Sequence, residues 1–147
     1  MKILLIHSCS SKKLNKPALV KDFYKGQLFG MLLKLAKNHS LDWIVISGKY
    51  GLLKPNDFIE PYDSKIKTKE DIERIKGLTI HKLKPMIENY DKILVIMGKN
   101  YRDVIRSLIN DKFIIITHKK GLFGYLSLVS NWNKLTKSEF KMELLNY

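Results

Sequence analysis

Cys9 stands in a run of small hydroxyl and basic residues whose types could carry covalent chemistry. The run covers residues 8–13 and reads SCSSKK. Neighbouring ammonium groups favour the thiolate, which is the nucleophilic form of cysteine. A thiolate here could attack an electrophilic carbon, and Lys13 could act as a nucleophile, an acid or an anion clamp. A second interpretation stays open, in which Cys9 is a small apolar residue at a strand end and the lysines are solvated.

A second cluster of residues that could take part in chemistry lies at residues 47–51, which read SGKYG. Gly51 suits a tight turn with a positive φ. Such a turn would present the hydroxyls of Ser47 and Tyr50 and the ammonium group of Lys49 to a ligand. The alternative is an ordinary turn with a solvated lysine.

Two further polar segments contain residues suited to holding a substrate. Tyr62 and Asp63 follow a proline, and Asp63 is predicted to be a general base or an acceptor for a ribose hydroxyl. The alternative for Asp63 is a role in a turn or a helix cap. Gly98 and Tyr101 follow another apolar run, and the tyrosine could stack on a base or hydrogen-bond to it.

The spacing of Gly121 and Gly124 before a predicted helix could bring backbone N–H groups toward a phosphate or a carboxylate. Two glycines match neither the dinucleotide-binding fingerprint nor a Walker loop. Metal-ligand spacing is absent among the four histidines, which are His7, His39, His81 and His118. We therefore predict no tightly bound metal and no cofactor.

Four short apolar runs alternate with amphipathic segments and predict the order βαβαβαβα. The strands are predicted at residues 1–7, 42–47, 91–97 and 112–117. This order predicts an α/β fold, with residues 1–147 forming a single domain. The domain would be a three-layer sandwich with a mostly parallel four-stranded sheet and right-handed crossovers.

The helices are predicted from apolar residues that recur at helical spacing within residues 18–38, 68–90, 101–110 and a C-terminal region that ends near 145. We expect Gly26 or Gly30 to divide the first helix. Thr68 and Asp71 should form a capping box at the start of the second helix. Pro85 should kink that helix or end its regular part.

The polar clusters all follow predicted strands, whereas the opposite strand ends carry plain residues such as Leu41 and Asp42. In open parallel sheets, ligands bind outside the carboxyl ends of the strands. We therefore expect the loops that contain the clusters to gather on one edge of the sheet and to enclose one cavity.

Composition favours an anionic partner without identifying it. The formal net charge is +13, from 27 Lys and Arg against 14 Asp and Glu. Only three of these residues are arginine, the side chain best suited to phosphate and guanine recognition, and a lysine excess also arises from an AT-rich genome.

One cysteine excludes an internal disulfide framework, and no apolar run has the length of a membrane span. We expect a cytoplasmic protein that does not associate with membranes.

Most of the chain resembles a domain family of unknown function from bacteria, archaea and phages. The opening similarity lies in residues 9–14 (CSSKKL), 17–18 (PA), 24–26 (YKG) and Phe29. The middle similarity lies in residues 43–53 (WIVISGKYGLL), Pro55 and 59–63 (IEPYD), and the closing one in 121–124 (GLFG). Members of that family resemble the core of archaeosine synthase, which adds an amine across the nitrile of a 7-cyano-7-deazaguanine base in transfer RNA.

The resemblance implies a Rossmann-like fold of the kind seen in uracil-DNA glycosylases. It also implies that Cys9 and Lys13 match an archaeosine synthase motif in which a cysteine and three further residues precede a functional lysine. Where the archaeal motif continues with proline and tyrosine, this chain has Leu14 and Asn15.

Two functional hypotheses follow. The first is an enzyme with transferase-like or lyase-like chemistry on a nucleobase, a 7-deazaguanine that is free or within nucleic acid. Cys9 or Lys13 would act on the electrophilic carbon, and Lys49 and Asp63 would transfer protons. The predicted substrate-binding residues are Ser10, Tyr24, Ser47, Tyr50, Gly51, Tyr62, Gly98, Tyr101, Gly121 and Gly124.

The second hypothesis is a non-catalytic module that binds a nucleotide, transfer RNA or DNA through its lysines. A glycosylase or nuclease would rest on fold analogy alone.

Overall fold

The computed structural model describes residues 1–147 and contains seven strands and seven α-helices. The strands are β1 (Ile3–Ser8), β2 (Ala18–Leu19), β3 (Asp42–Ser47), β4 (Gly51–Leu53), β5 (Phe58–Ile59), β6 (Lys92–Ile96) and β7 (Phe113–Ile115). The helices are α1 (Val20–Phe23), α2 (Gln27–His39), α3 (Lys69–Gly77), α4 (Ile80–Ile87), α5 (Lys99–Ile105), α6 (Leu122–Trp132) and α7 (Lys137–Leu145). A single 3₁₀ turn, Arg106–Leu108, follows α5.

The main sheet has five strands in the order β4-β3-β1-β6-β7, so the prediction of four strands is wrong. The four predicted strands are β1, β3, β6 and β7, and they are parallel to one another. The additional strand, β4, runs antiparallel to β3 at one edge. Gly51 has a φ of 72°, a left-handed conformation that glycine adopts without strain, and it lets the chain return alongside β3.

Helices pack on both faces of this sheet and give the domain three layers. Ile3 and Leu5 of β1 face one core, which is completed by apolar residues of α2, α6 and α7. Leu4 and Ile6 point the other way, toward a core shared with α3, α4 and α5. The continuous apolar sequence of β1 is explained by this burial on two faces.

A second, two-stranded sheet lies outside the main one. In it β2 and β5 pair in antiparallel fashion, with Ala18 opposite Ile59 and Leu19 opposite Phe58. Together with α1 it covers a small core that includes Val20, Phe23 and Ile59. Neither strand was predicted, and the residues of β2 and α1 were expected to belong to one long helix.

The predicted helices are each divided. Gly26 separates α1 from α2 as the N-cap of α2, whereas Gly30 lies inside α2. The second predicted helix breaks between α3 and α4, at Leu78 and Thr79, and Pro85 lies inside α4. The predicted capping box of α3 is confirmed, because the Asp71 N–H donates to Thr68 Oγ1 at 3.1 Å and the Thr68 N–H donates to Asp71 Oδ2 at 3.0 Å.

The carboxyl ends of the parallel strands meet at one edge of the sheet. Ser8 is in register with Ile46, and His7 with Ile96. The loops that follow β1, β3, β6 and β7 therefore leave from the same side of the molecule, as predicted. No helix has both the length and the apolar composition needed to cross a membrane.

Candidate functional site

Cys9 is held at the carboxyl end of β1, next to a tyrosine from a distant loop. Its N–H donates to Ile46 O at 3.2 Å, which continues the pairing of β1 with β3. Its Sγ lies 3.6 Å from the hydroxyl of Tyr101 in the first turn of α5, and the thiol is partly buried. Burial and then the charge of ionised Cys9 raise the pKa of Tyr101 above its ordinary value. Tyr101 therefore stays neutral at neutral pH, and its hydroxyl is placed to share a hydrogen bond with the sulfur.

A chain of hydroxyl groups lies beside Cys9. The Ser47 hydroxyl donates to Tyr62 Oη at 2.8 Å, and the hydroxyls of Tyr62 and Tyr24 are 2.5 Å apart. The N–H groups of Lys49 and Tyr50 both donate to Ser47 Oγ at 3.1 Å, so the turn orients the serine. Burial is the main cause that raises the pKa of Tyr24 and of Tyr62, and the charge of ionised Cys9 adds to it in both. The phenols therefore stay neutral.

Lys13 lies over this group of tyrosines. Its Nζ is 4.8 Å from the centroid of the Tyr62 ring, a cation–π contact. The position is fixed by the backbone, because Lys13 forms a β-bridge with Tyr24 and the flanking Leu14 N–H donates to Phe23 O at 2.9 Å. The loop after β1 is thus paired with the segment that leads into α2.

Lys49 and Asp63 are less closely associated with Cys9. Lys49 is exposed, and its Nζ lies 5.2 Å from the centroid of the Tyr50 ring. Asp63 is exposed and makes no hydrogen bond or ion pair through its side chain. No contact joins either residue to Cys9, so their predicted roles in proton transfer have no geometric support.

A cavity of about 260 Å³ lies on another side of Cys9. Its lining comes from the end of β1 and the following loop, the start of α2, Ile96 and Leu122. The residues are His7, Ser8, Cys9, Ser10, Ser11, Gly26, Gln27, Leu28, Phe29, Leu32, Ile96 and Leu122. A smaller cavity of about 210 Å³ shares Ser8, Leu28, Ile96 and Leu122 with it and reaches Gly98.

The turn at residues 47–51 does not line this cavity, although it leaves from the same edge of the sheet. Aromatic rings pack beside the turn, and Cys9 packs against the same small core. The Tyr50 and Tyr62 rings meet edge to face at 5.4 Å, and Phe23 stacks on Tyr62 at 6.2 Å. The expectation of one cavity enclosed by all the loops is therefore wrong, because Cys9 lies between a packed aromatic cluster and an open cavity.

A sequence model for a family of unknown function (DUF6884) matches residues 3–122. The chain belongs to DUF6884. The match runs from β1 to the first residue of α6, and it contains every predicted site residue except Gly124. No curated protein shows significant similarity to the chain.

The predicted glycines of this DUF6884 domain have structural roles around the site. A Cβ on Gly51 would approach Leu78 Cβ to 2.7 Å, so the turn packs closely against the junction between α3 and α4. Gly98 and Gly121 are the N-caps of α5 and α6, and Gly121 has a φ of 55° that favours glycine. Gly124 is buried against the His118 ring, where a Cβ would come within 2.0 Å of Nδ1.

His7 is a buried polar residue of the DUF6884 cavity that was not predicted to be a site residue. The sequence pattern places it at the end of the first strand, where the first polar cluster begins, and a histidine at that position is a signal for a polar group at the site. Its ring is fully buried, and neither nitrogen has a hydrogen-bond partner. No group of three or more His, Cys, Asp or Glu side chains is placed to hold a metal ion.

Proposed function

We propose that this protein is an enzyme that modifies a nucleobase through a covalent bond to Cys9. The observation that carries the proposal is the position of Sγ, which lines the cavity of about 260 Å³ while lying 3.6 Å from the Tyr101 hydroxyl. A nucleophile within reach of a neutral proton donor is the arrangement that covalent catalysis requires. The site also lies at the carboxyl ends of parallel strands, where α/β domains bind their ligands.

The substrate that we propose is a 7-deazaguanine base bearing a nitrile. The resemblance of Cys9 and Lys13 to the archaeosine synthase motif supports this choice. The size of the cavity is compatible with it, because pockets for drug-sized ligands begin at roughly 300 Å³. A cavity of about 260 Å³ suits a single base, with the remainder of a nucleotide or nucleic acid outside.

The chemistry is an addition to the nitrile carbon. Cys9 Sγ forms a bond to this carbon as one π bond of the C≡N group breaks. Tyr101 donates its proton to the nitrile nitrogen and receives the proton that Sγ has lost, which yields a neutral thioimidate. A primary amine then attacks the same carbon and displaces the thiol, so that the product is an amidine. Lys13 is held over the Tyr62 ring, and its proposed role is to stabilise the thiolate with its positive charge.

The experiment incubates the purified protein with 7-cyano-7-deazaguanine, as the free base and within transfer RNA. Intact-protein mass spectrometry then detects the adduct on Cys9. We expect Cys9→Ser to abolish the adduct, and Lys13→Ala and Tyr101→Phe to slow its formation by roughly a hundredfold. Lys12→Ala is the control for Lys13, because Lys12 is exposed and its side chain makes no contact with the tyrosines. Full activity in both Cys9→Ser and Lys13→Ala would exclude the proposed mechanism.

A second candidate function is non-catalytic binding of nucleic acid or a nucleotide, and the charge distribution favours it. Only Arg74, Lys76, Lys99 and Arg106 form ion pairs with carboxylates, out of 27 basic residues. Exposed lysines also flank the candidate site, with Lys12 and Lys16 after β1 and Lys119 and Lys120 after β7. Under this alternative, the protein binds nucleic acid while Cys9 forms no adduct.

A further inference from the structure

His7 is the buried polar residue of the cavity that no protein group satisfies. Its side chain is 1% exposed, and neither Nδ1 nor Nε2 has a hydrogen-bond partner. Most buried side-chain polar atoms in folded proteins have at least one partner, so an exception calls for an explanation. His7 is one of the residues that line the cavity, together with Cys9 and the first turn of α2.

The surroundings of His7 keep its ring uncharged and its tautomer free. The Phe29 and Trp43 rings lie 4.8 Å and 5.4 Å away, measured between ring centroids. Burial lowers the pKa of His7 to about 3. A neutral imidazole offers one N–H donor and one ring-nitrogen acceptor. Because no other residue holds either nitrogen, a ligand can select the tautomer that matches its own donor or acceptor.

The first turn of α2 adds hydrogen-bond donors to the same cavity. The lining includes the N-cap Gly26 and the first helical residues, and α2 has neither a side-chain N-cap nor an acidic residue in its first turn. The first N–H groups of a helix have no partner within the helix. They are therefore suited to a carbonyl oxygen of a ligand that also reaches His7.

Much of the remaining lining is apolar and comes from Leu28, Leu32, Ile96 and Leu122. Apolar walls with a few convergent polar groups are typical of sites for small organic ligands. An ion would be poorly matched to these walls, because the loss of its hydration would not be offset. The lining thus favours an uncharged ligand with a polar edge, and the nucleobase of the proposed function would be a planar ligand of this kind.

We propose that His7 recognises the ligand of this cavity, which is a planar, uncharged nitrogen heterocycle whose ring N–H or ring nitrogen hydrogen-bonds to the imidazole. The inference deepens the proposed function and rests on it for the identification of the heterocycle as a nucleobase. It assigns binding to His7 and leaves bond formation to Cys9.

The test records the side-chain ¹⁵N NMR signals of the histidines while wild-type protein is titrated with free bases, one at a time. The bases are 7-cyano-7-deazaguanine, guanine, adenine, cytosine and uracil. His39 serves as the internal reference, because it is also buried but its Nε2 is already bonded to Trp132 O at 2.9 Å. We expect at least one base to shift the His7 signals and to leave those of His39 unchanged. If none of the bases shifts the His7 signals, the proposal is overturned.

Two substitutions extend the test to affinity. His7→Phe keeps a ring of similar size without nitrogens, and His7→Asn restores a donor and an acceptor. We expect His7→Phe to weaken binding of the responding base by roughly tenfold or more, and His7→Asn to recover part of that loss. A folded His7→Phe protein with unchanged affinity would contradict the assignment.

The two proposals fail in different ways. A base that binds through His7 but forms no adduct on Cys9 supports the His7 assignment and excludes the proposed enzyme. Adduct formation with an unchanged KM in His7→Phe supports the enzyme and excludes the role of His7.

Discussion

At the scale of single residues, Tyr62 is central to the packing beside Cys9. Its hydroxyl contacts those of Ser47 and Tyr24, and its ring contacts Phe23, Tyr50 and the ammonium group of Lys13. The hydroxyl bridges the turn after β3 to the segment before α2. Its removal would leave the Tyr24 hydroxyl without a partner and the Ser47 hydroxyl without an acceptor for its proton.

We therefore expect Tyr62→Phe to lower the free energy of unfolding by about 1–3 kcal/mol. The matched control is Tyr50→Phe, whose hydroxyl donates to Glu60 O at 3.2 Å in an exposed position. For the control we expect a change within about 0.5 kcal/mol. Denaturant unfolding followed by circular dichroism measures both values, and equal losses in the two variants would contradict this account of the network.

His7 should link stability to pH. Its pKa is lowered from 6.5 to about 3 by burial, so the folded state resists the proton that the unfolded chain takes up. Below pH 6.5 the unfolded state binds more protons, and stability must fall with falling pH. Between pH 7.5 and 5 we expect the wild-type protein to lose about 2 kcal/mol from this residue.

The pH effect is measured as the difference in unfolding free energy between wild type and His7→Phe across that range. The carboxylates with lowered pKa, such as Asp71 and Glu139, contribute at lower pH because their ordinary values are 3.8 and 4.5. His81→Gln, on the surface, serves as a control that should retain the wild-type slope. Parallel curves for wild type and His7→Phe would show that the buried ring does not resist protonation.

At the scale of elements, the close approach of two segments shapes the site. A Cβ on Gly48 would lie 2.3 Å from Ser64 O, a backbone atom that cannot turn aside. The turn between β3 and β4 is thus packed against the segment that leads to α3. Gly30 offers the opposite case, because it lies inside α2 and a Cβ there would meet no side chain and no other segment within 4 Å.

We expect Gly48→Ala to destabilise the protein by about 1–3 kcal/mol, because the added methyl group must displace backbone. Gly30→Ala should stabilise it by about 0.5–1 kcal/mol, since alanine costs less conformational entropy in a helix. Thermal unfolding of both variants checks the pair. A Gly48→Ala protein as stable as wild type would show that the two segments can separate freely.

The parallel strands were predictable because each is an apolar run buried on two faces, and this burial leaves a clear pattern. Strands β2, β4 and β5 have two or three residues each, too few for any period, and they form through pairing with other segments of the chain. Proline disrupts helices, so the sequence predicted a kink or an end of the regular helix at Pro85, which lies inside α4. The chain breaks at Leu78 and Thr79, directly after Gly77, and there the buried Thr79 hydroxyl donates to Ile75 O, four residues earlier, at 2.7 Å.

The sequence predicted the edge of the sheet at which the site lies, and it did not predict the side-chain contacts within the site. Cys9, Ser10 and Tyr101 could be placed at the carboxyl ends of strands from pattern alone. The contact between Tyr24 and Tyr62 depends on how two loops pack, and no periodicity encodes it. Asp63 was predicted from its residue type, and the type does not specify where an exposed side chain points. The lack of a partner for His7 is a property of the folded core only.

At the scale of the whole molecule, the net charge of +13 should produce non-specific attraction to polyanions. We expect weak binding to DNA and RNA of any sequence, with an affinity that falls by roughly tenfold or more between about 50 and 200 mM salt. Fluorescence anisotropy with labelled oligonucleotides measures this. Binding that does not depend on salt, or no binding at the lower salt concentration, would contradict the expectation that the excess lysines bind nucleic acid.

The presence of a single cysteine, partly buried on the wall of the cavity, gives the protein a built-in reporter. A mild alkylating agent such as iodoacetamide can modify no other thiol, so its rate of reaction reports the accessibility and the thiolate fraction of Cys9 alone. Any compound that occupies the cavity should protect Cys9 and slow the labelling. The unmodified protein is therefore suited to covalent fragment screening with thiol-reactive fragments, because every hit would be attached to Cys9.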